Sequence, residues 1–366
     1  MENRFLYCSK EQFERLLELI GEAGYRLLGP KLHNETIILD RIKTARDLPI
    51  GWMDEQDPGH YRVKRREDNA YFGYNLGPHS WKRYLFPSKE KFWSSKKENE
   101  HLEIIPEPLD SEKRAFIGVR ACEIQGLRIL DRVFKDIENY RVRRENTFIV
   151  AVNCTRCVNT CFCAAMGSGP KVTGGYDLLL TEVVDDRQHY FVLEVGSEAG
   201  FKICGSLTLR EASDEEVKTA QAHIERIQEK RTVDNANIHD VLMKNYEHPR
   251  WDQVAKRCLN CANCTNVCPT CFCSDTQECV HLDGQAVDRW KGWESCFTQW
   301  HSYVAGVGSV RPSARSRYRQ WLTHKFGTWW DQFGMSGCVG CGRCITWCPV
   351  GIDVTEELAA IERGEQ

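Results

Sequence analysis

Two short cysteine runs constrain this chain more than any other feature of its sequence. Cys258, Cys261, Cys264 and Cys268 are followed by Pro269, and Cys338, Cys341, Cys344 and Cys348 by Pro349, so the spacing C-x2-C-x2-C-x3-C-P occurs twice. Backbone that brings so many thiols together in one turn must curl tightly, and Gly337, Gly340 and Gly342 suit that curvature in the second run. Nineteen cysteines stand among 366 residues, and twelve of them fall between Cys258 and Cys348. The first residues, MENRFLYCSKEQFERL, lack the apolar core of a secretory signal. No apolar run approaches the roughly 18 to 20 residues of a membrane helix. The expectation is a cytoplasmic chain with no membrane span, where thiols stay reduced and dense cysteines serve as metal ligands rather than disulfides.

The two runs have the spacing of a bacterial two-cluster ferredoxin, in which the fourth cysteine of each run serves the other cluster. One 4Fe-4S cluster would then take Cys258, Cys261, Cys264 and Cys348, the other Cys338, Cys341, Cys344 and Cys268. Zinc sites with four thiolates also use C-x2-C pairs. Their pairs are separated, however, whereas each run here is complete and closes on Cys-Pro. Roughly 70 residues lie between the runs and hold Cys271, Cys273, Cys279 and Cys296. Cys271, Cys273 and Cys296 are candidates for a fourth site, with Cys279 as a further thiol.

Upstream, apolar periodicity predicts a helix over Phe13–Ile20, a strand over Thr36–Ile42, a buried strand over Ala115–Val119, a helix over Glu123–Phe134 and a second buried strand over Thr147–Val152. The two buried strands run into cysteine-bearing turns, Cys122 after the first and Cys154, Cys157, Cys161 and Cys163 after the second. Cys122, Cys154, Cys161 and Cys163 are the expected ligands of a third cluster, with Cys157 as the substitute. A hairpin follows over Asp177–Val184 and His189–Val195, turning at Asp185–Gln188. Ser213 then caps a helix running to Arg231, with Glu216 in the capping-box position. The expected fold is α+β: an N-terminal α/β-like domain over residues 1–240 and a ferredoxin-like dicluster domain over 241–366, with a long insertion between its two cysteine motifs. Weak periodicity in the last third suggests that clusters, rather than a large apolar core, organise it. Cys8 and Cys204 stand alone and read as packed thiols.

Lysine and arginine number 49 against 52 acidic residues, a net charge of −3, which argues against nucleic acid as a partner. Two basic stretches stand out. Lys82–Lys97 reads as a solvated loop with anchored aromatics; Arg311–Lys325 reads as solvent-facing or cluster-neutralising, with partner docking as the alternative. No G-x-G-x-x-G opens a helix and no Walker run is present. The scattered histidines suit core or capping roles, and no Ser-His-Asp or paired-carboxylate set is apparent. Electron carriage therefore fits better than acid–base catalysis.

Further landmarks carry a family resemblance: GVRACEIQGLRILDRVF at Gly118–Phe134, the CFC at Cys161, EHPRWD before Cys258, CPTCFC at Cys268, WESC at Trp293, VAGVGSVRP, and CVGCGRC at Cys338. Together they resemble the beta subunits of cytoplasmic sulfhydrogenases, which are NAD(P)-linked nickel–iron hydrogenases, and the A-type subunits of anaerobic sulfite reductases. The resemblance implies an electron-transfer subunit without catalysis of its own. An FAD/NAD(P)H-binding, ferredoxin-reductase-like partner would stand at one end. A nickel–iron hydrogenase small subunit or a sirohaem sulfite reductase subunit would stand at the other. Two readings of other kinds compete: an enzyme reducing a sulfur compound at an open cluster site, and a zinc-stapled interaction protein.

Overall fold

The computed structural model describes residues 5–98, 101–185 and 187–365. Eight strands form a mixed sheet in the order Arg210–Glu211, Phe5–Ser9, His189–Val195, Leu178–Val184, Thr147–Val152, Arg114–Val119, Arg26–His33 and Thr36–Arg41. Its fourth to seventh strands, from Leu178–Val184 to Arg26–His33, are joined by three parallel pairings. Every residue of Arg114–Val119 and Thr147–Val152 is buried, as a parallel sheet covered on both faces requires. Alternate side chains enter different layers: Phe148, Val150 and Val152 join one core with Phe13 and Leu16, while Ile149 and Ala151 join another with Ile124 and Leu127. Cys8 and Cys204 are packed in the first of these cores.

The helix Lys10–Glu22 covers one face with Phe13, Leu16, Leu17 and Ile20, and its start is fixed by a reciprocal cap between Ser9 and Gln12. Ala121–Val133 covers the other face directly after its strand. This short strand-to-helix step places Cys122 in the first helical turn, beside the end of the neighbouring strand at Val152. The hairpin Leu178–Val184 with His189–Val195 forms as expected, although residue 186 of its turn lies outside the described residues, as do residues 1–4 of the first stretch.

Three expectations change. The capped helix ends at Glu225 rather than Arg231, because the following residues leave it to reach the cysteine turn after Val152. There Cys157 Sγ donates to Gln228 O (3.2 Å), and the Glu229 carboxylate accepts from the N–H groups of Cys163 (3.0 Å) and Ala164 (2.9 Å). Lys82–Lys97 is not a solvated loop. Lys82 is buried, and Lys89–Glu98 is a strand in a second sheet, ordered Ser274–Val280, Ala286–Trp293, Lys89–Glu98, His101–Pro106. The insertion thus pairs with the N-terminal half. Finally, the last third does have an apolar core, built on Trp251, Phe297, Tyr318, Trp321, Leu322 and Phe326.

No helix among the described residues is long and apolar enough to cross a membrane. Across the junction, the buried Arg343 guanidinium pairs with the buried Glu123 carboxylate and donates to Gly77 O (3.1 Å), while Glu123 also accepts from Trp81 N (3.1 Å). Removing one partner of such a pair strands the other charge in a low-dielectric interior. Arg343→Met should therefore cost about 3–5 kcal/mol, measured as a lower midpoint of urea unfolding on the intact chain.

Candidate metal centres

Three cavities walled by thiols lie in a row. The first, of about 30 Å³, is lined by Cys258, Cys261, Cys264, Cys344 and Cys348, among Leu259, Phe297, Tyr318 and Trp321. The second, of about 20 Å³, is lined by Cys268, Cys338, Cys341 and Cys344, with Phe162, Phe326 and Lys325. The third, of about 30 Å³, is lined by Cys122, Cys154, Cys157, Cys161, Cys163 and Cys341, with Arg120, Arg156 and Glu229. Each of the first two combines three cysteines of one run with the fourth of the other. Cys344 borders the first and second cavities, and Cys341 the second and third.

The local backbone explains this arrangement. In the first run Asn260 and Ala262 adopt φ of 52° and 64°; the equivalent residues of the second run, Gly340 and Gly342, adopt 60° and 74°. These left-handed steps fold the chain back around its own thiols. Amide groups then point at sulfur: Asn260 N at Cys258 Sγ (3.5 Å), Gly340 N at Cys338 Sγ (3.4 Å) and Ile352 N at Cys348 Sγ (3.3 Å). The second run has an added reason for glycine. A Cβ at Gly340 would stand 2.4 Å from Phe162 O, and one at Gly342 would stand 2.3 Å from Thr160 O. The CVGCGRC loop is pressed directly onto the NTCFC turn, and Phe162 N donates to Gly340 O (2.9 Å).

Around the third cavity, the buried Arg120 donates to Asn153 O (3.1 Å), Phe72 O (2.7 Å) and Tyr74 O (2.8 Å), tying both cysteine-bearing strand ends to one loop. Burial pushes the thiols of Cys122, Cys154, Cys161 and Cys163 up, and does the same to Cys264, Cys344 and Cys338, the last to about 12. Such sulfurs become thiolates when a metal cation supplies the compensating charge. Among the described residues, no three His, Cys, Asp or Glu side chains are close enough to share one metal ion. Each thiol set lines a cavity, and a group of several atoms held from its periphery would fit such a lining.

The insertion's cysteines divide. Cys271 lies against Cys268, Cys273 lies against Cys296 and His301, and Cys279 is exposed on the strand Ser274–Val280. The hydrogen bond from Cys296, joined by one from His301, outweighs burial and takes the Cys273 thiol down to about 4. Two lysines absent from the sequence-based site also face this group. Lys82 Nζ donates to Cys271 O (2.9 Å) and stands 3.9 Å from the Trp293 ring centroid. Lys325 Nζ donates to Thr270 Oγ1 (2.7 Å) and Gly337 O (3.2 Å). Burial lowers the pKa of Lys82, whereas at Lys325 the opposing pull of Cys268, Cys271 and Cys338 exceeds desolvation and raises it. Lys82 belongs to the stretch expected as a solvated loop, whereas Lys325 ends the stretch that reads as solvent-facing or cluster-neutralising, and its place beside the sulfurs fits the latter. In the second stretch only part of the chain is at the surface: Arg315 and Arg319 pair with Glu247 (2.6 and 2.7 Å), while Arg317 and Lys325 are buried.

This geometry agrees with what the chain resembles. Residues 257–352 match the 4Fe-4S dicluster domain, so the class is that of a protein carrying such a domain in its C-terminal part. Along its whole length the chain is similar to the Sulfhydrogenase 2 subunit beta of Pyrococcus furiosus, with 28% identity over 376 residues, covering 99% of each chain. That similarity bears out the sulfhydrogenase side of the resemblance seen in the motifs. No solved structure matches the chain.

If the fourth cysteine of each run crosses over, Cys348→Ser should impair the centre of Cys258, Cys261 and Cys264 although its sequence neighbours line the other. Electron paramagnetic resonance of the reduced variant decides; selective loss of the signal belonging to Cys338, Cys341 and Cys344 would contradict the crossing.

Proposed function

We propose that this chain is the iron–sulfur electron-transfer subunit of a cytoplasmic oxidoreductase complex. It would relay electrons between an FAD/NAD(P)H-binding, ferredoxin-reductase-like partner and a terminal redox subunit, in the first instance the small subunit of a nickel–iron hydrogenase. The observation that carries this reading is the row of three thiol-lined cavities in which each neighbouring pair shares a cysteine. A row of that kind is what stepwise electron transfer through one chain needs. Similarity to a sulfhydrogenase beta subunit supports it over 99% of the length, and the unpaired state of all nineteen cysteines suits a reducing compartment.

In this assignment Cys258, Cys261, Cys264 and Cys348 hold one 4Fe-4S cluster, Cys268, Cys338, Cys341 and Cys344 a second, and Cys122, Cys154, Cys161 and Cys163 a third. Bound there, the clusters supply one-electron carriage at potentials set by protein hydrogen bonds, charge and solvent access. The chain's own part is to aim the amides of Asn260, Gly340 and Ile352 at sulfur, to shield the thiols behind Tyr318, Trp321 and Phe326, and to place buried cations beside them. Residues 1–240 and 241–366 act as its two functional parts, one centre in the first and two in the second. A sirohaem sulfite reductase subunit is the alternative terminal partner.

A second reading has the chain itself reduce a sulfur compound at Cys271, Cys273 and Cys296. The closeness of Cys273 to Cys296 and His301 favours it; the closeness of Cys271 to Cys268 favours the electron-transfer reading instead.

Four measurements test the proposal. Anaerobically purified chain should hold about twelve iron atoms with matching acid-labile sulfide; stoichiometric zinc with little iron would sink it. The chain alone should neither oxidise NAD(P)H nor reduce sulfite or polysulfide, while the complex from the native host should contain a flavin subunit with a nickel–iron or sirohaem partner. In Cys122→Ala, about a third of the iron should be lost with the C-terminal pair intact, and an unchanged iron count would reassign Cys122 to packing.

A further inference from the structure

The two C-terminal cavities differ in one respect that bears on where an electron rests. The first is walled by Leu259, Phe297, Tyr318 and Trp321 beside its thiols, and no lysine or arginine lines it, the buried Arg317 acting on Cys258 without entering the lining. The second has Lys325 in its wall, 5% exposed. Lys325 sits on a π-helical turn, His324–Thr328, a backbone form that often marks functional positions. Its carbonyl is pinned by Gly337 N (2.7 Å) and Ser336 Oγ (3.3 Å), which fixes the root of the side chain.

An ammonium has three donors and no acceptor. Two hydrogen bonds go to neutral oxygens, Thr270 Oγ1 at 2.7 Å and Gly337 O at 3.2 Å, and Thr270 Oγ1 in turn lies 3.2 Å from Cys268 Sγ. The sulfurs it faces are those of Cys268, Cys271 and Cys338, which become anionic when they bind metal. A buried charge is costly unless something of opposite sign compensates it, and at this place the compensation comes from thiolates and what they bind.

We propose that Lys325 makes the two centres of the C-terminal pair unequal: its ammonium, set in the cavity wall, favours the reduced and more negative state of the site formed by Cys268, Cys338, Cys341 and Cys344. An electron entering the pair rests at that site, the middle of the three, rather than at Cys258, Cys261, Cys264 and Cys348. The inference rests on the assignment of 4Fe-4S clusters to those eight cysteines. Lys325 is a positioning residue for charge, acting through Cys268.

The test uses the full chain, purified anaerobically, with Lys325→Gln and Lys325→Arg beside the wild type. Glutamine keeps a hydrogen-bonding group and loses the charge; arginine keeps the charge. In redox titrations followed by electron paramagnetic resonance, the middle site is identified by the signal missing from Cys268→Ser. Its electron affinity should fall at least tenfold in Lys325→Gln, about 59 mV for one electron, and stay within about threefold of wild type in Lys325→Arg. A change of less than about threefold in the glutamine variant, or an equal fall in both variants, would overturn the inference. If Lys325→Gln fails to retain iron, nitrogen-15 lysine labelling of the wild type and of Lys82→Gln decides: pulsed resonance of the reduced middle site should show coupling to a lysine nitrogen in both, and its absence from either rejects the role. Failure of the cluster assignment itself would appear earlier, as missing iron and sulfide in the wild type.

Discussion

The arrangement depends on one backbone contact made without side chains. Gly340 and Gly342 let the CVGCGRC loop approach the NTCFC turn so closely that a single methyl group at either position would overlap a carbonyl oxygen. That contact brings Cys341 into the walls of two cavities at once, although the cysteines of the third cavity come from residues some 180 positions upstream. Around it, Ser168 Oγ donates to Val339 O (2.6 Å), and Thr160 and Thr346 share a hydrogen bond (2.9 Å). Without the glycines the cysteine sets could still form, but the row would be broken between its second and third members.

Packing so many sulfurs inside a protein creates a charge problem, and the structure answers it with buried cations held by neutral atoms. Arg120 is bound by three carbonyls, Lys82 by one carbonyl and the Trp293 ring, and Lys325 by a hydroxyl and a carbonyl. Neutral partners fix the position of a cation while leaving its charge available to nearby thiolates, which a carboxylate would cancel. Arg343 shows the contrast. It is neutralised by Glu123, and its service is to join the two parts of the chain.

Much of the fold and of the cysteine sets was legible because spacing is a covalent property. Three thiols on one tight turn converge wherever the chain goes, and the short, nearly unbroken apolar runs of Ala115–Val119 and Phe148–Val152 mark strands buried on both faces. The same logic placed Cys122 beside Cys154, since neighbouring parallel strands end side by side. Lys82 was invisible for the opposite reason, and of Lys325 only its stretch was legible, as one that could neutralise clusters. A lysine in a basic stretch is ordinarily solvated, and only three-dimensional proximity to sulfur shows that these two are not. The pairing of Ala286–Trp293 with Lys89–Glu98 was equally hidden, because it joins strands almost 200 residues apart and neither has a strongly alternating pattern. The early end of the helix at Glu225 follows a tertiary demand, Glu229 reaching Cys163, which no local cap announces.

The ends of the row differ from its middle. At the first cavity Cys261 is exposed, and Leu259 beside it is 62% exposed, so that end opens at the surface. At the third, Cys157 is half-buried and held only by the carbonyl of Gln228 in a segment that has left its helix. The second cavity lies between them, enclosed by Phe162, Trp321 and Phe326 from the apolar core of the last third. The proposed relay would need this ordering, with electrons entering and leaving where a partner can approach and the intermediate position screened from solvent. The basic stretch from Arg311 fits the same division of labour. Its outer arginines are tied to Glu247 at the surface, whereas its last lysine turns inward to the middle of the row.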